Sequence, residues 1–195
     1  MKAAFIDRDG VINELCYFPD ADVIDSPFTP RQVRLLPHAA KGIRLLNRLG
    51  LKVVVISNQP GVAKKNLTLA TLTAINDRIL EELHRRRATI DGIYCCLHHP
   101  QAKLKRWKKR CDCRKPKPGL ILRAASEMQL DVRRSYMLGD SLSDIQAGCR
   151  AGCKTIFVGR WKCDICRFMS DYEIQPDFVA GNLFEAARLI EELEA

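Results

Sequence analysis

The sequence predicts an α/β fold built on a mostly parallel, doubly wound β-sheet. Short apolar runs alternate along the chain with longer stretches of helical periodicity, which is the order that a parallel sheet requires. The runs are continuously apolar rather than alternating, as expected for strands that helices cover on both faces. A chain of 195 residues is long enough to bury such a core in one domain.

Six strands and five helices are expected. The predicted strands are Ala3–Asp7, Lys52–Asn58, Gly92–Cys96, Ser135–Asp140, Thr155–Gly159 and Asp177–Ala180. The predicted helices lie near His38–Arg48, Thr68–Arg87, Pro118–Gln129, Leu142–Ala151 and Leu183–Leu193. Asn182 and Glu185 form a capping pattern at the start of the last helix. Two segments are predicted to be loops, at Asn13–Pro37 and His98–Pro118.

The composition excludes a disordered chain and gives no sign of a membrane protein. Hydrophobic residues make up 47% of the chain and charged residues 28%. No apolar run approaches the ~18 residues that a membrane helix needs, and the start, MKAAFIDRDG, lacks the apolar core of a signal peptide. We therefore expect a cytoplasmic protein that does not contact membranes, and we expect a monomer.

The chain is basic, with 32 Lys and Arg against 23 Asp and Glu and a net charge of +9. Six of the cations lie in the run KLKRWKKR, Lys103 to Arg110. Such a run is usually a solvated surface. Two alternatives stay open: it attracts a phosphorylated substrate, or it binds nucleic acid through phosphate contacts and stacking on Trp107.

Polar side chains follow three of the predicted strands. Asp7 and Asp9 come as the first strand ends, Ser57 and Asn58 end the second, and Asp140 ends a later one. Ligands of open α/β sheets bind beyond the carboxyl ends of the strands, so these side chains are expected to share one crevice. Taken alone, Asp9 followed by Gly10 is also consistent with an ordinary turn.

A phosphate and a divalent cation are the ligands that these groups suit. Lys115 lies shortly before Pro118, a favoured first helical residue, so a cation is expected near a helix N-terminus. Carboxylates from separate strands are hard oxygen ligands, typical of Mg²⁺ bound together with a substrate phosphate.

The ordered set D-x-D-G, S-N, K and G-D-x-x-x-D resembles the haloacid dehalogenase superfamily of phosphatases. The resemblance implies that Asp7 is a nucleophile that becomes an aspartyl phosphate and that Asp9 is the general acid and base. Ser57 and Lys115 would hold the phosphoryl oxygens. Asp7, the Asp9 carbonyl and Asp140 would hold Mg²⁺.

Asp144 has two interpretations. Ser141-x-x-Asp144 has the spacing of a capping box for the helix that follows. The alternative is that Asp144 is a partner of Lys115 or of the metal.

Nine cysteines indicate a metal site rather than a disulfide framework, because the number is odd and the chain is long. Cys96 and His98 are followed by Cys111 and Cys113, a spacing typical of a closed, structural Zn²⁺ site. The alternatives are free thiols, or His99 in place of His98. Another pair with metal-like spacing, Cys163 and Cys166, lacks a second pair and is expected to be free thiols.

The predicted zinc ligands and the residues around them make the resemblance more specific. C-x-H-H-P followed by C-D-C-R-K-P-x-P-G, with DRDGVIN and SNQ-x-G upstream, is similar to the D-glycero-D-manno-heptose 1,7-bisphosphate phosphatases. This resemblance implies a capless Rossmann-like domain over residues 1–195, with the zinc loop 96–113 inserted. It also implies that the substrate contacts Asn58, Gln59, Arg114 and Lys115.

The expected substrate is therefore heptose 1,7-bisphosphate. The alternative is histidinol phosphate or another small sugar phosphate, since the histidinol-phosphate phosphatases share much of the pattern. Nucleic-acid binding or a polynucleotide 3′-phosphatase activity is the least favoured function.

Overall fold

The computed structural model describes residues 1–159 and 174–195 and contains a six-stranded sheet. Its strands are β1 (Ala3–Ile6), β4 (Lys52–Asn58), β5 (Gly92–Cys96), β6 (Tyr136–Gly139), β7 (Lys154–Val158) and β8 (Phe178–Ala180). They lie in the order β5-β4-β1-β6-β7-β8, and every neighbouring pair is parallel. The predicted parallel, doubly wound sheet is confirmed.

Within the described residues, five α-helices lie on the two faces of this sheet. They are α1 (Ala39–Arg48), α2 (Leu69–Arg85), α3 (Gly119–Met128), α4 (Leu142–Ala151) and α5 (Leu183–Glu194). The prediction that Pro118 is the first helical residue is wrong by one position, because Pro118 is the N-cap and α3 begins at Gly119.

The two faces explain why the strands are continuously apolar. Val53 and Val55 of β4 belong to the core beneath α1, α2 and α5, whereas Val54 and Ile56 belong to the core beneath α3 and α4. Successive side chains of a strand point to opposite faces, so a strand covered on both sides is apolar at every position.

The loop predicted over Asn13–Pro37 contains a small hairpin that the sequence analysis missed. Its strands β2 (Cys16–Phe18) and β3 (Val23–Asp25) pair antiparallel. Phe18 stacks on Phe28 with ring centroids 4.2 Å apart. Between β1 and α1 the described chain holds only this hairpin and two short 3₁₀ turns, which agrees with the capless fold.

Within residues 1–159 and 174–195, no helix combines the length and the apolar composition that crossing a membrane requires. The predicted free thiols Cys163 and Cys166 lie outside the described residues.

Candidate active site

The carboxyl ends of two neighbouring strands, β1 and β6, and the first turn of α4 bring acidic side chains together. Carboxylate oxygens of Asp7, Asp140 and Asp144 lie within 4.8 Å of one another. The backbone N–H of Asp7 donates to the Leu138 carbonyl at 2.9 Å, which ties the end of β1 to β6. The shared crevice predicted from the strand ends is thus present for Asp7 and Asp140.

Asp7 is held by two donors on one oxygen. Its Oδ1 accepts a hydrogen bond from the Arg8 backbone N–H at 2.7 Å and lies 2.8 Å from Lys115 Nζ. Burial raises the pKa of Asp7 to about 7; Lys115 opposes this rise, and the nearby Asp144 charge adds to it. Burial also raises the pKa of Asp140, to about 6, with a further contribution from Asp144. Burial thus favours the neutral form of both carboxyl groups in the metal-free protein.

Lys115 occupies the centre of the cluster. Its Nζ donates to the Ile56 carbonyl at 2.9 Å and lies 2.8 Å from Asp7 Oδ1 and 2.5 Å from Asp144 Oδ1. Burial acts to lower the pKa of this ammonium, but Asp144 and Asp7 outweigh burial and raise the pKa above its ordinary value. Three oxygens therefore surround the ammonium, one from a carbonyl and two from carboxylates.

Asp144 fulfils both of the roles that the sequence left open. Its Oδ2 accepts from the Ser141 N–H at 3.0 Å and from the Ser141 hydroxyl at 2.6 Å, in a capping box at the start of α4. Its Oδ1 is the oxygen beside Lys115. One fully buried carboxylate thus caps the start of α4 and anchors the lysine.

Two glycines let the acidic side chains approach the backbone. A Cβ on Gly10, which has a φ of +88°, would lie 2.0 Å from Asp140 Oδ2. A Cβ on Gly139 would lie 2.2 Å from Asp144 Cβ. Only glycine at these two positions leaves space for the carboxylates at the carboxyl end of the sheet.

Asp9 is buried in a ring of donors. Arg8 Nε and Nη2 donate to Asp9 Oδ1 at 3.2 and 3.0 Å, and Nη2 also lies 3.0 Å from Oδ2. Asn13 Nδ2 donates to Oδ1 at 2.9 Å, and Gln59 Nε2 donates to Oδ2 at 2.6 Å. Arg8, itself 1% exposed, is anchored in turn by Asn76 Oδ1 at 2.8 Å from Nη1. The carboxylate is therefore fixed in orientation by three side chains.

Gln59 also contacts Ser57. Its Nε2 donates to Ser57 Oγ at 2.9 Å, and the Gln59 side chain is 2% exposed. Because the Ser57 oxygen accepts this bond, its own hydrogen is available for another acceptor. The predicted contact of Gln59 with substrate stays a prediction; in the structure its amide hydrogens go to Ser57 and Asp9.

Asn58 and Arg114 both lie next to Lys115 and both form hydrogen bonds within the protein. Asn58 Nδ2 donates to the Lys115 carbonyl at 3.2 Å, and Asn58 Oδ1 accepts from the Lys115 N–H at 3.1 Å. Arg114 Nη1 donates to the His98 carbonyl at 3.3 Å, and Arg114 lines a cavity of about 410 Å³ beside Lys115. Their roles in substrate binding stay predictions.

The crevice suits a hard divalent cation. Asp7 and Asp140 supply carboxylate oxygens from two strands, and Gly10 leaves the space into which the Asp140 carboxylate fits. Oxygen donors of this kind are those that Mg²⁺ prefers. The donor set therefore fits the predicted magnesium site.

The predicted zinc ligands converge at the end of β5 and in the loop that follows it. Cys96 Sγ lies 3.6 Å from Cys111 Sγ and 3.1 Å from Cys113 Sγ, and the latter two are 3.3 Å apart. His98 Nδ1 lies 3.3 Å from Cys113 Sγ and 3.8 Å from Cys96 Sγ. A tetrahedron with metal–sulfur bonds of about 2.3 Å has edges of about 3.8 Å, so this Cys₃His cluster could hold zinc.

His99 is not part of this cluster. Its Nδ1 accepts a hydrogen bond from the Gln101 N–H at 3.1 Å. The Trp107 ring is half-buried, with its centroid 5.4 Å from that of the His98 ring.

The sequence analysis missed Arg8, Asn13 and Asn76, which support Asp9 directly or through Arg8. Arg8 and Asn13 lie within the DRDGVIN motif, so their proximity to Asp9 was visible. A charged residue between two acids gives no sign that it will be buried, and Asn76 is distant in sequence.

Similarity to known proteins agrees with this geometry. A family model described as HAD-hydrolase-like matches residues 112–186. The D-glycero-β-D-manno-heptose-1,7-bisphosphate 7-phosphatase of Salmonella typhi is 34% identical over 156 residues, 80% of this chain and 78% of that protein. The protein of the same name from Rhodopseudomonas palustris is 38% identical over 150 residues, 77% of this chain and 79% of that protein.

A solved structure has the same fold over nearly the whole chain. The D,D-heptose 1,7-bisphosphate phosphatase of B. bronchiseptica, solved in complex with magnesium and phosphate, aligns with a TM-score of 0.80 and 28% identity. The alignment covers 99% of each chain. The chain therefore belongs to the haloacid-dehalogenase-like phosphatase family that contains the D-glycero-β-D-manno-heptose-1,7-bisphosphate 7-phosphatases.

Proposed function

We propose that this chain, acting as one domain with the zinc loop inserted, hydrolyses the 7-phosphate of D-glycero-β-D-manno-heptose 1,7-bisphosphate through an aspartyl phosphate. The observation that carries the proposal is Lys115, whose ammonium lies between Asp7 at 2.8 Å and Asp144 at 2.5 Å in a crevice that also contains Asp140. A cation fixed beside a nucleophilic carboxylate is what binding and transfer of a phosphoryl group require.

In the first step a carboxylate oxygen of Asp7 attacks phosphorus and forms a new P–O bond. The bond from phosphorus to the sugar oxygen breaks, and the leaving alkoxide takes a proton from Asp9. Lys115 and the available hydroxyl hydrogen of Ser57 donate to the phosphoryl oxygens. Asn58, which bonds both backbone groups of Lys115, positions that lysine.

In the second step Asp9 accepts a proton from a water molecule as the water oxygen bonds to phosphorus. The bond from phosphorus to Asp7 then breaks, which releases inorganic phosphate and restores the carboxylate. Arg8, Asn13 and Gln59 keep the Asp9 side chain in place for both proton transfers.

Two metals complete the proposal. Asp7, the Asp9 carbonyl and Asp140 bind Mg²⁺, which offsets the negative charge of the phosphate and the carboxylates. Cys96, His98, Cys111 and Cys113 bind Zn²⁺ in a closed site with a structural role. The short contacts of this cluster support the assignment, and the zinc loop holds Arg114 through the His98 carbonyl.

The substrate assignment rests on the relatives' names and on the cations around Lys115. A cavity of about 410 Å³ next to Lys115 is lined by Arg114, Lys109 and Arg110, which suits a second phosphate better than the imidazole of histidinol phosphate.

A substrate panel tests this proposal. Purified protein with Mg²⁺ is assayed on heptose 1,7-bisphosphate, histidinol phosphate and a 3′-phosphorylated oligonucleotide, and ³¹P NMR identifies the phosphate that is lost. We expect the highest kcat/KM on the heptose bisphosphate and loss of the 7-phosphate. A higher kcat/KM on either other substrate, or loss of the 1-phosphate, would contradict the proposal. Asp7→Asn, run in parallel, controls for contaminating phosphatases.

A further inference from the structure

A cleft between α1 and α2 is distinct from the active site. It has a volume of about 920 Å³, and its walls are the segment 33–38, the outer face of α1 and the outer face of α2. None of the active-site residues described above lines it. Its size falls within the range of small-molecule sites, which runs to ~1,000 Å³.

The cleft is strongly basic. Five Lys and Arg residues line it, against two carboxylates. One of these carboxylates, Glu82, is already paired with Arg78 at 2.7 Å and with Arg86 at 2.5 Å. Among residues 1–159 and 174–195, the other three cations have no carboxylate partner; these are Arg34, Lys41 and Arg44.

Backbone and ring contacts hold these three cations in place. Arg34 Nη1 donates to the carbonyls of Arg31 and Val33, both at 2.9 Å. Arg44 Nη1 donates to the Arg86 carbonyl at 3.2 Å, and Lys41 Nζ lies 3.9 Å from the centroid of the Phe184 ring. A guanidinium has five N–H donors, so each arginine keeps donors for an anion while its position is already set.

The floor of the cleft is apolar. Val33 is 4% exposed, and Leu35, Leu36 and Ala40 pack partly buried against the core. Fixed cations over an apolar floor suit a ligand with anionic groups attached to a carbon skeleton, because the carbon part covers the floor while the charges meet the arginines.

We propose that the cleft between α1 and α2 binds a small organic phosphate with at least two negative charges, at a site separate from the active-site crevice. Arg34 and Arg44 are the main contacts to its phosphate groups. The proposal concerns binding alone and does not depend on the reaction that the crevice catalyses.

Isothermal titration calorimetry with fructose 1,6-bisphosphate as the probe tests the site. We expect two binding events per wild-type chain, one in the crevice and one in the cleft. Arg34→Gln/Arg44→Gln should raise the dissociation constant of the cleft event about tenfold or more, because each variant position loses a hydrogen bond between two charged groups. The crevice event should be unchanged. Arg44→Gln alone should weaken the cleft event less and covers the case in which the double variant misfolds.

Arg123→Gln/Arg134→Gln is the matched control, because it removes the same charge from the side of the sheet that α3 covers. This control should bind as wild type does. The proposal is overturned if the cleft variants bind as wild type does, or if the control loses as much affinity. It is also overturned if inorganic phosphate binds the cleft as tightly as the bisphosphate, since the carbon skeleton would then contribute nothing.

Discussion

Gln59 Nε2 lies 2.6 Å from Asp9 Oδ2, and both side chains are buried. The same amide nitrogen donates to Ser57 at 2.9 Å, so one side chain joins the proposed general acid to the proposed phosphate-binding hydroxyl. A change at Gln59 should therefore disturb proton transfer and phosphoryl binding together, although Gln59 transfers no proton itself.

Gln59→Leu should lower kcat about tenfold or more, with a smaller change in KM, because general acid–base catalysis contributes ~10²–10⁴-fold and depends on the position of the acid. Steady-state kinetics over a pH series measures both constants. Gln175→Leu, the same change at an exposed position, is the control and should behave as wild type. An unchanged kcat in folded Gln59→Leu protein would show that Arg8 and Asn13 alone hold Asp9.

Asp144 variants should separate its two contacts. Asp144→Asn keeps an oxygen for the Ser141 N–H but removes the charge beside Lys115. We expect the free energy of unfolding to fall by about 3 kcal/mol. This is the lower end for a broken buried ion pair, because Lys115 still has Asp7 as a partner. Asp144→Ala also removes the cap and should cost about 1 kcal/mol more. Urea unfolding measures both, and equal stability of the two variants would mean that the cap contributes nothing.

The two adjacent histidines should differ in their effect on zinc. His98→Ala removes one of four ligands. It should lower the zinc content below the expected value of about one per chain, and it should also lower the melting temperature. His99→Ala is the control, because His99 lies outside the cluster and should leave both unchanged. Metal analysis and thermal melting are the measurements. Equal zinc in the two variants would contradict the choice of His98 as the ligand.

The raised pKa values of Asp7 and Asp140, about 7 and about 6, predict how pH affects the metal-free protein. Each lies above its unfolded value of 3.8, so the folded state binds these protons more tightly than the unfolded chain does. The resulting stability is complete below pH 3.8 and is lost as pH rises through about 6 and about 7.

Mg²⁺ requires these carboxylates in the ionised form and competes with their protons. The rise in melting temperature on adding Mg²⁺ should therefore be larger at pH 8 than at pH 5.5. Differential scanning calorimetry with and without Mg²⁺ at the two pH values measures this rise. A rise that is equal at both, or larger at acidic pH, would mean that these carboxylates do not bind the metal.

The central strands were predictable because they are covered on both faces and therefore continuously apolar. Val53 to Ile56, for example, all lie in one or the other core. The hairpin of β2 and β3 was not predictable in this way, since its three-residue strands carry exposed residues such as Tyr17 and Ile24 and contribute little to the core.

The acidic cluster was predictable from strand ends, but its hydrogen bonds were not. The spacing of Asp7 and Asp140 relative to the strands placed them in one crevice. The three oxygens around Lys115 come from β4, from the residue after β1 and from α4, which are distant in sequence. Asn58 and Gln59 carry groups that suit a phosphate as well as the protein, and only the tertiary contacts show which partners they have.

Trapping the phosphoenzyme tests the central claim most directly. The protein is mixed with substrate labelled with ³²P at the 7-phosphate, quenched in acid within one turnover and digested, and the labelled peptide is sequenced by mass spectrometry. We predict hydroxylamine-sensitive label on the peptide that contains Asp7 and no label in Asp7→Asn. Label on another residue, or turnover by Asp7→Asn at the wild-type rate, would contradict the assignment of Asp7 as the nucleophile.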